Sequence, residues 1–301
     1  MTPSQVKCFL TVVETGSFSS AANVLFIAQP AVSIQIKTIE AEIGFPLFIR
    51  KGRSIEVTDE GKLLYDTIKE CHSLYNQAIN KCLKQVNKGS DNKILKIGCP
   101  YLWNKHTALQ KLNDYVKASF PWINIEVKGY KQADIIEALT SGDLDLALHI
   151  TEIGSQKNIN TFVYDNVKLN LKYSAESDIG NDISEIKNIN NYNFLVMCDL
   201  LSNQYQDLFN ALKSWFHVDY INTTTIHDAG HIRSMLLKSG NIALANELCL
   251  WTSDPELRVT PIDITRNLYL SYSTTNPNIE AALIARQLSS NFLINDNRKA
   301  Q

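Results

Sequence analysis

Apolar positions in the first ninety residues recur at helical spacing. Val6, Phe9, Leu10 and Val13 form one stripe after Thr2 and Pro3, which mark a helix start. A short segment at 19–25 follows, with Ala21 and Ala22 small enough for another helix to cross closely. Val32, Ile36, Ile39 and Ile43 predict a longer amphipathic helix that opens near Pro30 and stops at Gly44. Its opposite face presents Gln29, Ser33, Ile34 and Lys37. At 47–49 and 55–57 the pattern predicts two short strands around a turn at 51–54. Thr58 then caps a helix whose first turn carries Asp59 and Glu60, the sign the helix dipole favours. Neither proline nor glycine interrupts 62–88, where Leu64, Ile68, Cys71, Tyr75, Ala78 and Cys82 make a heptad seam. Leu74, Ile79, Leu83 and Val86 widen it.

The polar stretch 88–92 reads as a hinge, and a different rhythm begins after it. Strands at 94–98, 123–128 and 144–148 alternate with helices at 105–120 and 133–141. The alternation repeats with strands at 193–197, 222–226 and 242–245 and helices at 201–216 and 230–238. A strand at 268–273 and a helix at 279–292 close it. This order predicts parallel sheets with helices on their faces, in two α/β lobes around a cleft. Asp143 and Asp145 read as turn and solvent-facing strand residues.

The formal charge of −2 over 301 residues hides an asymmetry: residues 1–90 hold ten Lys/Arg and eight Asp/Glu. A head this weakly basic must hold phosphate through a few well-placed cations rather than bulk charge. The six cysteines show no metal-ligand spacing; Cys8, Cys71 and Cys82 fall on apolar helical positions and read as small core residues. No apolar run is long enough to span a membrane, and the opening residues lack a leader pattern, so a cytoplasmic, reduced, metal-free chain without a cofactor is expected. No nucleophilic triad, paired-carboxylate motif or phosphate loop stands out, which argues against an enzyme.

A short helix, a tight turn and a longer helix with a polar leading end make a helix-turn-helix, whose second helix reads the major groove. The hairpin behind it, with Lys51, Gly52 and Arg53 at its tip, is a wing suited to backbone and minor groove. Residues 1 to about 88 thereby resemble the DNA-binding half of LysR-type transcriptional regulators. The resemblance rests on Gly16-Ser17-Phe18, Ala21-Ala22, Gln29-Pro30-Ala31-Val32-Ser33, Ile36-Lys37, Ile39-Glu40, Gly44, Leu47-Phe48, Arg50 and Thr58-Asp59-Glu60-Gly61. It implies DNA contacts from Ser17, Ala28, Gln29, Pro30, Ser33, Ile34, Lys37, Arg50, Lys51 and Arg53. One departure is Ile34, where the family often has arginine; isoleucine either touches a thymine methyl or packs. The implied architecture is a winged head at 1–58, a dimerising linker helix at 59–88 and an effector domain at 93–301. Its lobes would be 93–163 with 267–301, and 164–266. The implied partners are promoter DNA, a small-molecule effector, other copies in a dimer or tetramer, and RNA polymerase.

The body resembles the family's effector domain, which has the fold of periplasmic solute-binding proteins, at 95–98, 141–147 and 240–244. Ligand would then sit at strand carboxyl ends, near Pro100, Tyr101, Leu102, Trp103, Lys131, His149, Thr151, Cys198, Ser202, His227 and Asn246. The amides opening the helix after Trp103 would suit an anionic group. Tyr101 and Trp103 either stack on an aromatic effector or fill the cleft. His149 reads first as a hydrogen-bonded core residue. Cys198 carries an alternative, a redox-responsive regulator, and solute capture without regulation is the remaining non-enzymatic class.

Overall fold

The computed structural model describes all residues except 26, 52–53, 88–92, 151–155, 157, 180–188, 198–201, 227–230, 251–253 and 296–301. The chain forms two compact units, Met1–Gly89 with Gln287–Gln301, and Ser90–Arg286.

In the first unit α1 (Pro3–Thr15) starts from a reciprocal cap: Gln5 donates its amide to Thr2 Oγ1 at 3.3 Å, and Thr2 donates to Gln5 Oε1 at 2.6 Å. Gly16, at φ 61°, ends it in the left-handed region. Ser17 Oγ accepts from the Ser20 amide and opens α2 (Phe18–Leu25). Next come α3 (Gln29–Ile43), closed by Gly44 at φ 87°, and the antiparallel strands β1 (Phe48–Lys51) and β2 (Ser54–Val57). Phe9, Val12, Ala21, Val32, Ile36, Ile39 and Leu47 form the core, which Tyr65 joins from α4 (Asp59–Val86). Thr58 caps α4 by accepting from Gly61 N at 2.9 Å. Leu64 and Ile68 of the heptad seam pack against this core, but Cys71 and Cys82 are exposed. The expectation that both are core residues is corrected: they sit on a face that α4's own chain leaves uncovered. Cys8 is buried.

The second unit opens with β3 (Lys93–Pro100), α5 (Lys105–Ser119), β4 (Ile123–Tyr130), α6 (Ile135–Ser141) and β5 (Leu146–His149). After β6 (Ile159–Ser174), the same rhythm returns in β7 (Asn193–Met197), α7 (Ser202–Phe216), β8 (Asn222–Ile226), α8 (Ile232–Leu236) and β9 (Asn241–Asn246). The chain returns through β10 (Leu257–Ser273) into α9 (Ile279–Asn295). The eight strands follow the order β4-β3-β5-β10-β6-β9-β7-β8. Each half repeats one arrangement: its first strand lies between its second and third, and all three are parallel. Antiparallel β6 and β10 join the halves.

Those two strands, 16 and 17 residues long, depart most from the sequence reading, which had no strand at 159–174 and a short one at 268–273. Each changes partners along its length, β6 gaining β9 and β10 gaining β5, and their pairing shifts register at Pro261/Thr265 and Leu268/Tyr269. No single face stays buried from end to end, so alternation breaks down. Asp145 also differs from expectation. It is buried, and its carboxylate accepts from Lys96 N at 2.8 Å and from Asn276 and Asn278 Nδ2 at 3.0 Å each. It ties β3 to the turn before α9.

Candidate DNA interface and inter-lobe cleft

The leading end of α3 is open. Ala28, the residue before its first turn, makes no side-chain cap, and Ala28, Gln29, Pro30 and Lys37 are exposed. Ile34 is 65% exposed, which among its sequence readings excludes packing within the head and leaves it on the reading face. Gln29 Nε2 donates to Ser33 Oγ at 2.8 Å, so the two polar side chains hold each other one helical turn apart. Ser17 is half-buried, and its hydroxyl is engaged at the α2 cap. β1 carries Arg50 and Lys51, with side chains outside the described residues, as is Arg53.

The wing's attachment to α3 went unread in sequence. Glu40, on α3, accepts from Leu47 N at 2.7 Å and Phe48 N at 3.2 Å, fixing where β1 begins relative to the reading helix. Phe48 meets the rings of Phe9 and Phe18 edge-on, at 5.9 and 5.7 Å between centroids. The signal was an acid on a helix followed seven residues later by two strand amides, which only the fold brings together.

In the body, the segment after β3 crosses to the second α/β half. Asn104 donates to Leu248 O at 2.8 Å, Leu250 donates to Leu102 O at 2.7 Å, and Trp103 pairs with Cys249 as an antiparallel bridge. Trp103 is 3% exposed. Tyr101 and Leu102 are half-buried against Leu195, Ile232, Leu236 and Ala243. The anion expectation at α5 is corrected too: Asn104 Oδ1 already accepts from His106 N and Thr107 N. His149 is fully buried, with Nε2 2.7 Å from Ser271 Oγ and its ring stacked on Tyr269, so it belongs to the sheet. Asn246 is buried, and its Oδ1 accepts from Leu248 N at 2.9 Å. Pro100 is half-buried and Lys131 exposed. Thr151, Cys198 and His227 lie outside the described residues, as does the side chain of Ser202.

Sequence reasoning passed over Lys172. It is 1% exposed, donates to Leu250 O at 2.7 Å, and burial holds its pKa below the usual lysine value. Its signal was the polar face Asn170, Lys172, Ser174 alternating with Leu169, Leu171 and Tyr173; both faces of this strand are buried. The Lys172 ammonium thus braces the loop that carries the bridge to Trp103. Among the described residues no cluster suited to a metal ion occurs, and no helix is long and apolar enough to cross a membrane.

A winged helix-turn-helix head with a long following helix, joined to an α/β body, defines a class of DNA-binding protein. Residues 3–62 match the family of bacterial regulatory helix-turn-helix proteins, lysR family. The head is thus similar to the DNA-binding domain of that family. The "Probable RuBisCO transcriptional regulator" of Emiliania huxleyi is 31% identical over 150 residues, 49% of this chain and 46% of that protein. The nitrogen assimilation regulatory protein nac of Escherichia coli (strain K12) is 33% identical over 144 residues, 48% of this chain and 47% of that protein. The matches thus span about half the length of these relatives. CbnR, a LysR family transcriptional regulator, shares the fold across 96% of this chain and 100% of its own, with TM-score 0.52 and 16% identity.

Proposed function

We propose that the protein is a cytoplasmic, sequence-specific transcriptional regulator, not an enzyme, whose output a small-molecule effector modulates. The observation that carries this reading is the open leading end of α3, with Gln29 and Ser33 paired beside an exposed Ile34, inside a head of the LysR family. Gln29, Pro30 and Ser33 would meet base edges, while Lys37, Arg50, Lys51 and Arg53 hold backbone and minor groove. Nac is named a nitrogen assimilation regulatory protein, and CbnR has been solved with its target DNA; both support a promoter-DNA partner.

Two copies pairing through α4 would set two reading helices about 34 Å apart, one turn of DNA, and read an inverted repeat. Effector held between the α/β halves, near the bridge of 102–104 to 248–250, would act by binding two arrangements of the oligomer, dimer or tetramer, unequally. RNA polymerase is the partner at the promoter through which such a change is felt. The test is selection from a random DNA pool. Wild-type protein should enrich an inverted repeat, whereas Gln29→Ala/Ser33→Ala should bind DNA without enriching one; equal enrichment by both would remove these residues from recognition.

A further inference from the structure

We propose that Cys71 of one chain and Cys82 of a second copy form disulfides across an antiparallel pair of α4 helices. This rests on the reading of α4 as the dimer helix and goes beyond it in register and chemistry. Among the described residues, α4 is covered on one side. His72, Asn76, Ile79, Asn80 and Leu83 are half-buried, and Asn80 Oδ1 accepts from Gln287 Nε2 at 2.9 Å. On the adjoining side Cys71, Tyr75, Ala78 and Cys82 are all exposed, flanked by Leu74 and Val86 at 58% and 81% exposure.

A second copy suits this face because the face is complementary to itself when reversed. Turned about the midpoint between Asn76 and Gln77, Cys71 falls opposite the second copy's Cys82, and Tyr75 opposite its Ala78, large against small. A parallel, in-register pair would set tyrosine against tyrosine and leave a gap between the alanines. Charge agrees. Between 66 and 87, the first half carries Asp66 and Glu70 with Lys69, and the second carries Lys81 and Lys84 with no acid. Antiparallel packing sets the acidic half against the basic one, whereas parallel packing stacks the lysines.

The two cysteines cannot bridge within one chain, because eleven residues of helix separate them by about 16 Å. Between chains they can. Helix axes about 8–10 Å apart, less two Cα radii of about 2.3 Å, bring facing Cα atoms to about 3.4–5.4 Å, the wider half of which lies within disulfide range. One S–S bond forms and two S–H bonds break. The two electrons and two protons pass to a disulfide oxidant such as oxidised glutathione, which leaves as two thiols. Oxidation would thus lock the dimer covalently.

The experiment treats the full-length protein with oxidised glutathione, then runs denaturing non-reducing gels with mass spectrometry of the linked peptides. Sedimentation of the reduced protein reports dimerisation separately. The reduced protein should be a dimer, and oxidation should double the mass on the gel through a peptide pair joining Cys71 to Cys82. Cys71→Ser and Cys82→Ser should each lose that species, and an equal mixture of the two variants should regain it, because each supplies the thiol the other lacks. Crosslinking of the Cys71→Ser protein through Cys82 alone would overturn the antiparallel register. A reduced dimer that never crosslinks would overturn the disulfide and leave the dimer reading standing; a reduced monomer would overturn both.

Discussion

Gly61 shows how one residue couples the reading head to the helix that leaves it. A Cβ built there would stand 2.6 Å from Leu47 O and 2.8 Å from Val57 Cγ1. The first neighbour is backbone, held by Thr58, which donates both its amide and its hydroxyl to Leu47 O. Gly61→Ala should therefore cost about 1–3 kcal/mol in chemical unfolding. An unchanged midpoint and slope would show that α4 can shift at no cost. Cys99 makes a second prediction, in pH. Burial pushes its thiol up to about 11 from an ordinary 9.0. Between those values the folded state keeps a proton that the unfolded state has lost, so stability falls as pH rises from about 9 to about 11. Burial raises the Tyr65 and Tyr164 hydroxyls as well, which adds the same sign of slope from about pH 10 upward. Cys99→Ala should flatten the slope between pH 9 and 11 in urea denaturation; an identical slope would remove Cys99 as its source.

Among elements, α4 serves two settings at once. Its first turns join the head core through Leu64, Tyr65 and Ile68, and its later turns leave Leu74, Tyr75 and Val86 uncovered. Exposed apolar residues repeated along one face mark an association surface. Tyr75→Asp, which sets a charge in that seam, should raise the dimer dissociation constant at least tenfold, about 1.4 kcal/mol, in sedimentation, with helix content unchanged. Equal dissociation constants would move the dimer interface away from α4.

The elements also show what could be read in the sequence. The head was legible almost residue by residue because each of its helices has one buried stripe and its own stop, such as Gly16 or Gly44. The short parallel strands β3, β7 and β8 were legible because each stays in one layer. β6 and β10 were not, since their partners change midway and their register slips. The same fact governs the contact between the two α/β halves. Trp103, Asn104 and Lys172 owe their roles to residues 248–250 across the sheet, a pairing no local pattern encodes.

At the scale of the whole molecule, the proposed function gives base reading to the head, pairing to α4, and the action of a small molecule to the doubled α/β body. A titration of the full-length protein with labelled DNA from upstream of its own gene, against excess random competitor at two salt concentrations, tests this most directly. The account predicts binding that survives competitor at both salts and weakens as salt rises, because the cations of two heads meet phosphate. Binding that disappears equally with competitor and with salt would contradict it, leaving a protein with electrostatic affinity for DNA and no sequence to read.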